Sequence, residues 1–170
     1  MFGRRRNGFF GSNNSGASAS KLFASFYDTT TQSVAQNTPK ALQVNTIDLN
    51  YGFTVANDSD GNPTRITPSL GGNFNIQFSA QLQRTAGGSP ATVNFWLRRK
   101  ESDLPYTNTF ITMQSNSGNL VAAWNLFVSL TATDYVELMW LQTDAINIPF
   151  IGATSNYPET PSVIITINQL

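Results

Sequence analysis

The stretch Gly71-Gly72-Asn73-Phe74-Asn75-Ile76-Gln77-Phe78-Ser79-Ala80-Gln81-Leu82-Gln83-Arg84 decides the fold class. Phe74, Ile76, Phe78, Ala80 and Leu82 alternate without a break with Asn73, Asn75, Gln77, Ser79, Gln81 and Gln83. Successive side chains of a strand point to opposite faces, so this run carries one apolar and one polar face. A helix would scatter both sets around its circumference. The run reads as a long central strand of an antiparallel sandwich.

The same period recurs on both sides of it. Upstream lie a short strand in Lys21–Asp28, one or two strands in Leu42–Val55, and a short one at Arg65–Pro68. Between the last two, Asn57-Asp58-Ser59-Asp60-Gly61-Asn62-Pro63 is the strongest turn signal in the chain. Asp58 and Asp60 with Gly61 also resemble the start of a calcium loop, but the further ligands and closing Glu of an EF-hand are missing. Downstream, Thr92–Lys100 has Val93, Phe95 and Leu97 on one face and Trp96 and Arg98 on the other, and ends in the basic cluster Arg98-Arg99-Lys100-Glu101, read as a solvated hairpin tip, with an acidic partner on a neighbouring subunit as the alternative. Thr107–Gln114 is the next strand, and Pro149, Pro158 and Pro161 mark Asn147–Pro161 as a loop.

Two strands are apolar on both faces. In Leu120–Leu130, Leu120, Ala122, Trp124, Leu126, Val128 and Leu130 form one face, while Val121, Ala123 and Phe127 join Asn125 on the other. After Asp134, the residues Val136, Leu138 and Trp140 alternate with Tyr135, Glu137, Met139 and Leu141. Such strands are buried on both sides, yet a two-layer sandwich covers only the inner face of each sheet. A neighbouring subunit is the expected cover for the second faces. Ser162–Leu170 is a strand running to the last residue, with Val163, Ile165 and Ile167 on one face and Ile164, Thr166, Asn168 and Leu170 on the other. Short strands separated by turns, with no helical period, indicate an all-β sandwich or barrel.

The 170-residue length favours one domain with a full core. Ten basic and ten acidic residues cancel, which removes the global basic field of a nucleic-acid binder. Cys and His are absent, so disulfides, Cys nucleophiles, His-based triads and His or Cys metal sites are excluded. No cofactor is expected. No stretch has the length of a membrane helix or a signal-peptide core. The carboxylate pairs Asp58/Asp60 and Glu101/Asp103 lie in turn-like sequence without a partner base, which argues against an enzyme.

Residues 1–20 are rich in Gly, Ser and Asn and lack periodicity, so they read as a flexible arm ahead of a domain spanning 21–170. Phe2, Phe9 and Phe10 bracket Arg4, Arg5 and Arg6. Three readings stand: a solvated end, a peptide that orders on a partner through its Phe and Arg side chains, and a nucleic-acid arm for which three arginines are few.

Gly72-x-Phe74-x-Ile76-x-Phe78 resembles the Gly-x-aromatic-x-apolar-x-aromatic strand of complement-type globular heads and the tumour necrosis factor superfamily. Val128-Ser129-Leu130 followed by Thr133-Asp134-Tyr135-Val136-Glu137-Leu138 resembles the Leu-x-x-Gly-Asp-x-Val-x-Leu hairpin of that superfamily, with Thr133 where the family prefers Gly. The opening Ala24-Ser25-Phe26-Tyr27 and the apolar closing strand agree. In finer texture, Phe26–Gln32, Asn75–Gln83, Ala122–Asn125 and Asp134–Trp140 resemble virion proteins of bacteriophages and algal viruses. The resemblance implies a ten-stranded antiparallel jelly-roll sandwich that forms a homotrimer. Mapped onto this sequence, its axis-facing set is Gln77, Val121, Ala123, Asn125, Phe127, Ile164 and Leu170.

The function expected from this resemblance is a virion structural protein on the capsid exterior. It would be a decoration or cement protein or a short head fibre, held to the major capsid protein or another virion protein through Phe2, Arg4, Arg5, Arg6, Phe9 and Phe10. The alternative is a receptor-binding knob of a phage fibre that recognises a host surface molecule. A soluble ligand of the animal type ranks lower, because no signal peptide is recognised.

Overall fold

The alternating run Gly72–Arg84 forms a single thirteen-residue strand, the longest among the described residues. The computed structural model describes residues 21–114 and 118–170. In chain order the strands are β1 (Phe23–Asp28), β2 (Lys40–Ala41), β3 (Thr46–Tyr51), β4 (Phe53–Asn57), β5 (Pro63–Pro68), β6 (Gly72–Arg84), β7 (Ala91–Arg99), β8 (Ser102–Asp103), β9 (Thr109–Met113), β10 (Asn119–Leu130), β11 (Val136–Gln142), β12 (Ile146–Asn147) and β13 (Val163–Gln169). Ten of these have five residues or more, which are the strands of the expected jelly roll; β2, β8 and β12 are two-residue additions.

They form two antiparallel sheets. The first has the order β10-β6-β13-β1-β3, with β12 added to β6. The second has the order β4-β5-β11-β7-β8, with β2 added to β11 and β9 to β7. Strands β6 and β13 are interior to the first sheet, which explains why β13 carries apolar residues on its core face at every second position. The Leu42–Val55 region splits at Gly52, where φ is +87°. A Cβ there would lie 2.5 Å from Leu22 Cδ2 and 2.9 Å from Ser69 Oγ, so both backbone sign and space require glycine. This turn sends β3 to the first sheet and β4 to the second.

The core lies between the sheets. Phe74, Ile76, Phe78, Ala80 and Leu82 of β6 point into it, as do Val93, Phe95 and Leu97 of β7 and Trp140 of β11. Phe78 and Phe95 meet across the sheets with centroids 5.2 Å apart, and Trp124 of β10 packs 5.7 Å from Phe78. Tilted aromatic contacts of this kind add to the area they bury. Leu42 and Val44 are buried without belonging to a strand.

Two expectations change. The basic cluster after β7 is not a free solvated tip. Arg98 Nε lies 2.7 Å from Asp103 Oδ1, and Lys100 Nζ lies 2.9 Å from Asp134 Oδ1. Lys100 and Glu101 both have positive φ, 45° and 65°. That pair of signs is what a two-residue hairpin loop with the twist of its strands demands. The second change concerns β11. Its outward side, expected to need a neighbouring subunit, is already covered within the chain: Met139 is 2% and Glu137 6% exposed.

Candidate functional site

Among the described residues, the first sheet leaves a wide apolar face to solvent. In β10 the register with β6 puts Val121 opposite Gln81, Ala123 opposite Ser79, Asn125 opposite Gln77 and Phe127 opposite Asn75. In β13 it puts Ile164 opposite Ser79 and Thr166 opposite Gln77. The polar partners on β6 alternate with its core residues, so this whole set faces away from the second sheet. Val121 is 52%, Phe127 63% and Leu170 55% exposed. Ile164 is also exposed, as are Gln77, Ala123 and Asn125. All seven residues read from the sequence as axis-facing are therefore brought onto one face of one sheet.

Continuing the rows across the sheet adds residues that the sequence reading missed. Phe127, Asn75, Asn168, Phe23 and Tyr51 form one cross-strand row spanning β10, β6, β13, β1 and β3. Phe23 and Tyr51 stack at 5.9 Å and are both about half exposed. Leu49, opposite Ser25 on the same face, is exposed as well. Their signal was present as the alternation Ile47, Leu49, Tyr51, but that pattern equally describes a core-facing strand. The face thus has aromatic groups at both lateral edges and an amide-rich centre. Within that centre Asn75 Nδ2 donates to Asn168 Oδ1 at 3.4 Å, while Asn75 Oδ1 is buried with no hydrogen-bond partner.

The β10–β11 hairpin fixes the exposed edge strand. Thr131 N donates to Asp134 Oδ2 at 2.8 Å, and Lys100 supplies the ion pair. The Thr131 backbone N–H, followed by Lys100, holds the Asp134 carboxyl down at about 2. A glycine at the Thr133 position is unnecessary here, because its φ is not positive. Gly72, at the start of β6, is more constrained: a Cβ there would come within 2.6 Å of Gln169 Nε2.

The Asp58 carboxylate serves the turn in which it sits. Its Oδ1 accepts from the backbone N–H groups of Asp60 at 2.9 Å and Asn62 at 2.8 Å, closing the β4–β5 turn. Among the described residues no cluster of three or more acidic side chains could hold a metal. Phe2, Arg4, Arg5, Arg6, Phe9 and Phe10 lie outside the described residues.

Comparison with known proteins defines the class by fold alone. No family profile matches the sequence, and no curated protein does. Murine APRIL, in its crystal structure at pH 8.5, superposes with a TM-score of 0.56 at 6% identity, over 89% of this chain and 100% of that one. The structure of Eiger TNF from S. frugiperda gives 0.58 at 11% identity, over 88% of this chain and 92% of that one. The chain therefore has a tumour-necrosis-factor-like jelly roll.

Proposed function

We propose that the protein is a virion structural protein: three copies associate through the outer face of the β10-β6-β13-β1-β3 sheet, and residues 1–20 attach the trimer to a capsid shell. One observation carries the assembly. A soluble single chain seldom leaves an aromatic, a valine, an isoleucine and a leucine together on one flat sheet face. Burying that face at about 25 cal/mol per Å² of apolar area supplies the association free energy, against the loss of translational and rotational freedom. The virion role rests on the resemblance of Phe26–Gln32, Asn75–Gln83, Ala122–Asn125 and Asp134–Trp140 to phage and algal-virus proteins, and on an arm that alternates Phe and Arg with small residues.

Sedimentation of Phe127→Asp tests the assembly. The variant is expected as a monomer or an insoluble chain, and a soluble trimer would refute the mapping. A chain starting at Ser20 is expected to keep the trimer and lose binding to capsid shells; undiminished binding removes the anchoring role. Cryo-electron microscopy of intact particles locates the protein: density on the capsid surface supports a decoration protein, and density at a fibre tip supports the receptor-binding knob instead.

A further inference from the structure

The outer face of the second sheet carries a cavity of about 390 Å³ at the β7–β8–β9 end, away from the proposed trimer face. Its floor is Trp96, half-buried on β7, and its lip is Tyr106. The Tyr106 side chain is fully exposed, and its backbone sits at φ +64°. A tyrosine in the left-handed region strains the chain, and a ring wholly in water returns no packing in exchange. The turn after Pro105 accounts for the positive φ, but it would be met with less strain by glycine.

Three further features define what the cavity would accept. Trp96 Nε1 donates to Asp103 Oδ1 at 2.8 Å, which locks the plane of the indole. Asp103 is itself neutralised by Arg98, whose Nε lies 2.7 Å from the same oxygen, and this pairing holds its carboxyl below the usual range. The cavity therefore offers neither a free cation for a phosphate nor a free anion for an amine. Asn108 Nδ2 donates to Asn94 Oδ1 at 3.3 Å. That bond uses one donor and one acceptor of a pair of carboxamides, which leaves further donors and acceptors at the cavity wall. Leu141 adds an apolar patch beside them.

An oriented aromatic plane, a second aromatic at the rim, neutral amides that both donate and accept, and no net charge match one ligand chemistry. A pyranose presents an apolar C–H face for stacking on an aromatic ring and a rim of hydroxyls that each donate and accept. We propose that this cavity binds a neutral saccharide, stacked on Trp96 and clasped by Tyr106, with its hydroxyls on Asn94 and Asn108. The site stands apart from the assembly face and does not depend on the trimer.

Saturation-transfer NMR on the full chain tests this. The probes are neutral oligosaccharides of glucose, galactose, mannose and rhamnose and of the N-acetylamino hexoses. At least one is expected to receive saturation at its ring C–H protons with millimolar or tighter affinity. Tyr106→Gly, which relieves the backbone strain and removes only exposed atoms, is expected to keep the fold and weaken that binding about tenfold, as loss of one aromatic contact would. Trp96→Ala is expected to abolish it, with Asn94→Ala intermediate. The proposal is overturned if no probe in the set receives saturation, or if binding survives unchanged in Tyr106→Gly and Asn94→Ala.

Discussion

The two sheets present opposite kinds of outer surface. On the first, Val121, Phe127, Ile164 and Leu170 stand in solvent. On the second, β11, which shares the two-sided apolar pattern of β10, has Met139 and Glu137 buried. Met139 lies in register between Trp96 of β7 and Ala41 of β2. Glu137 Oε1 accepts from Thr64 Oγ1 at 2.6 Å and faces Arg65 Nε at 3.7 Å, and the Arg65 guanidinium in turn lies 4.6 Å from the Tyr135 ring centroid. The short additions β2 and β8, with the segments around them, flank β11 and β7. Among the described residues no comparable segment flanks β10, an edge strand of its sheet. Both strands read as apolar on two sides, but among the described residues only β11 finds a cover from its own chain.

The comparison breaks most sharply under charge. Met139→Asp replaces a buried thioether by a carboxylate that must give up its hydration, and is expected to cost on the order of 3–5 kcal/mol, read as a fall in the urea midpoint. Phe127→Asp, the same change on the open face, is expected to retain β-sheet circular dichroism in whatever remains soluble. Its unfolding midpoint should no longer depend on protein concentration, whereas that of the parent should rise with it. If the two substitutions destabilise alike, the contrast between the faces is wrong.

A smaller effect is expected for Glu137→Ala. It strips Thr64 of its partner and Arg65 of one of its two carboxylates, Glu101 being the other, at about 1–3 kcal/mol. The equivalent truncation on the first face, Gln77→Ala, removes an exposed group and is expected to change monomer stability by about 0.5 kcal/mol or less. Urea unfolding of the pair, in the Phe127→Asp background, separates burial from assembly.

The effect expected at the hairpin joining β10 to β11 is confined to acid pH. Asp134 titrates at about 2 in the folded chain, below the unfolded carboxylate at about 3.9. Because the folded value is the lower one, its stabilisation is complete above the unfolded value and is lost as pH falls from about 4 towards about 2. Asp134→Asn is expected to flatten the acid limb of stability in that window and leave stability above it independent of pH to the same extent as the parent. An unchanged acid limb would mean that the Thr131 and Lys100 contacts do not form in solution.

Much of the fold was legible because strand periodicity is local. The Phe74–Leu82 alternation, the glycine before it, the Asn57–Pro63 turn and the closing Val163–Ile167 strand each carry their reading in a few adjacent residues. The residues of the outer face were legible to the same degree on β10 and β13, since their second faces are apolar at alternate positions. Phe23, Leu49 and Tyr51 were not, because edge position is decided by pairing with β1 and nothing in their own alternation records it. Trp96 was read as lying opposite Phe95, but Tyr106 had no periodic signal at all; it reaches the Trp96 cavity through a turn with positive φ.

The amino-acid order by itself thus determined that this is an all-β sandwich, where its long strand lies and which side of that strand is apolar, since steric alternation along a strand needs no distant partner. Tertiary structure alone decided which of two doubly apolar strands stays wet, and it alone assembled the Trp96–Tyr106 cavity. Cover and enclosure depend on segments far apart in the chain, and their coming together is a property of the packed sheets that no local pattern encodes.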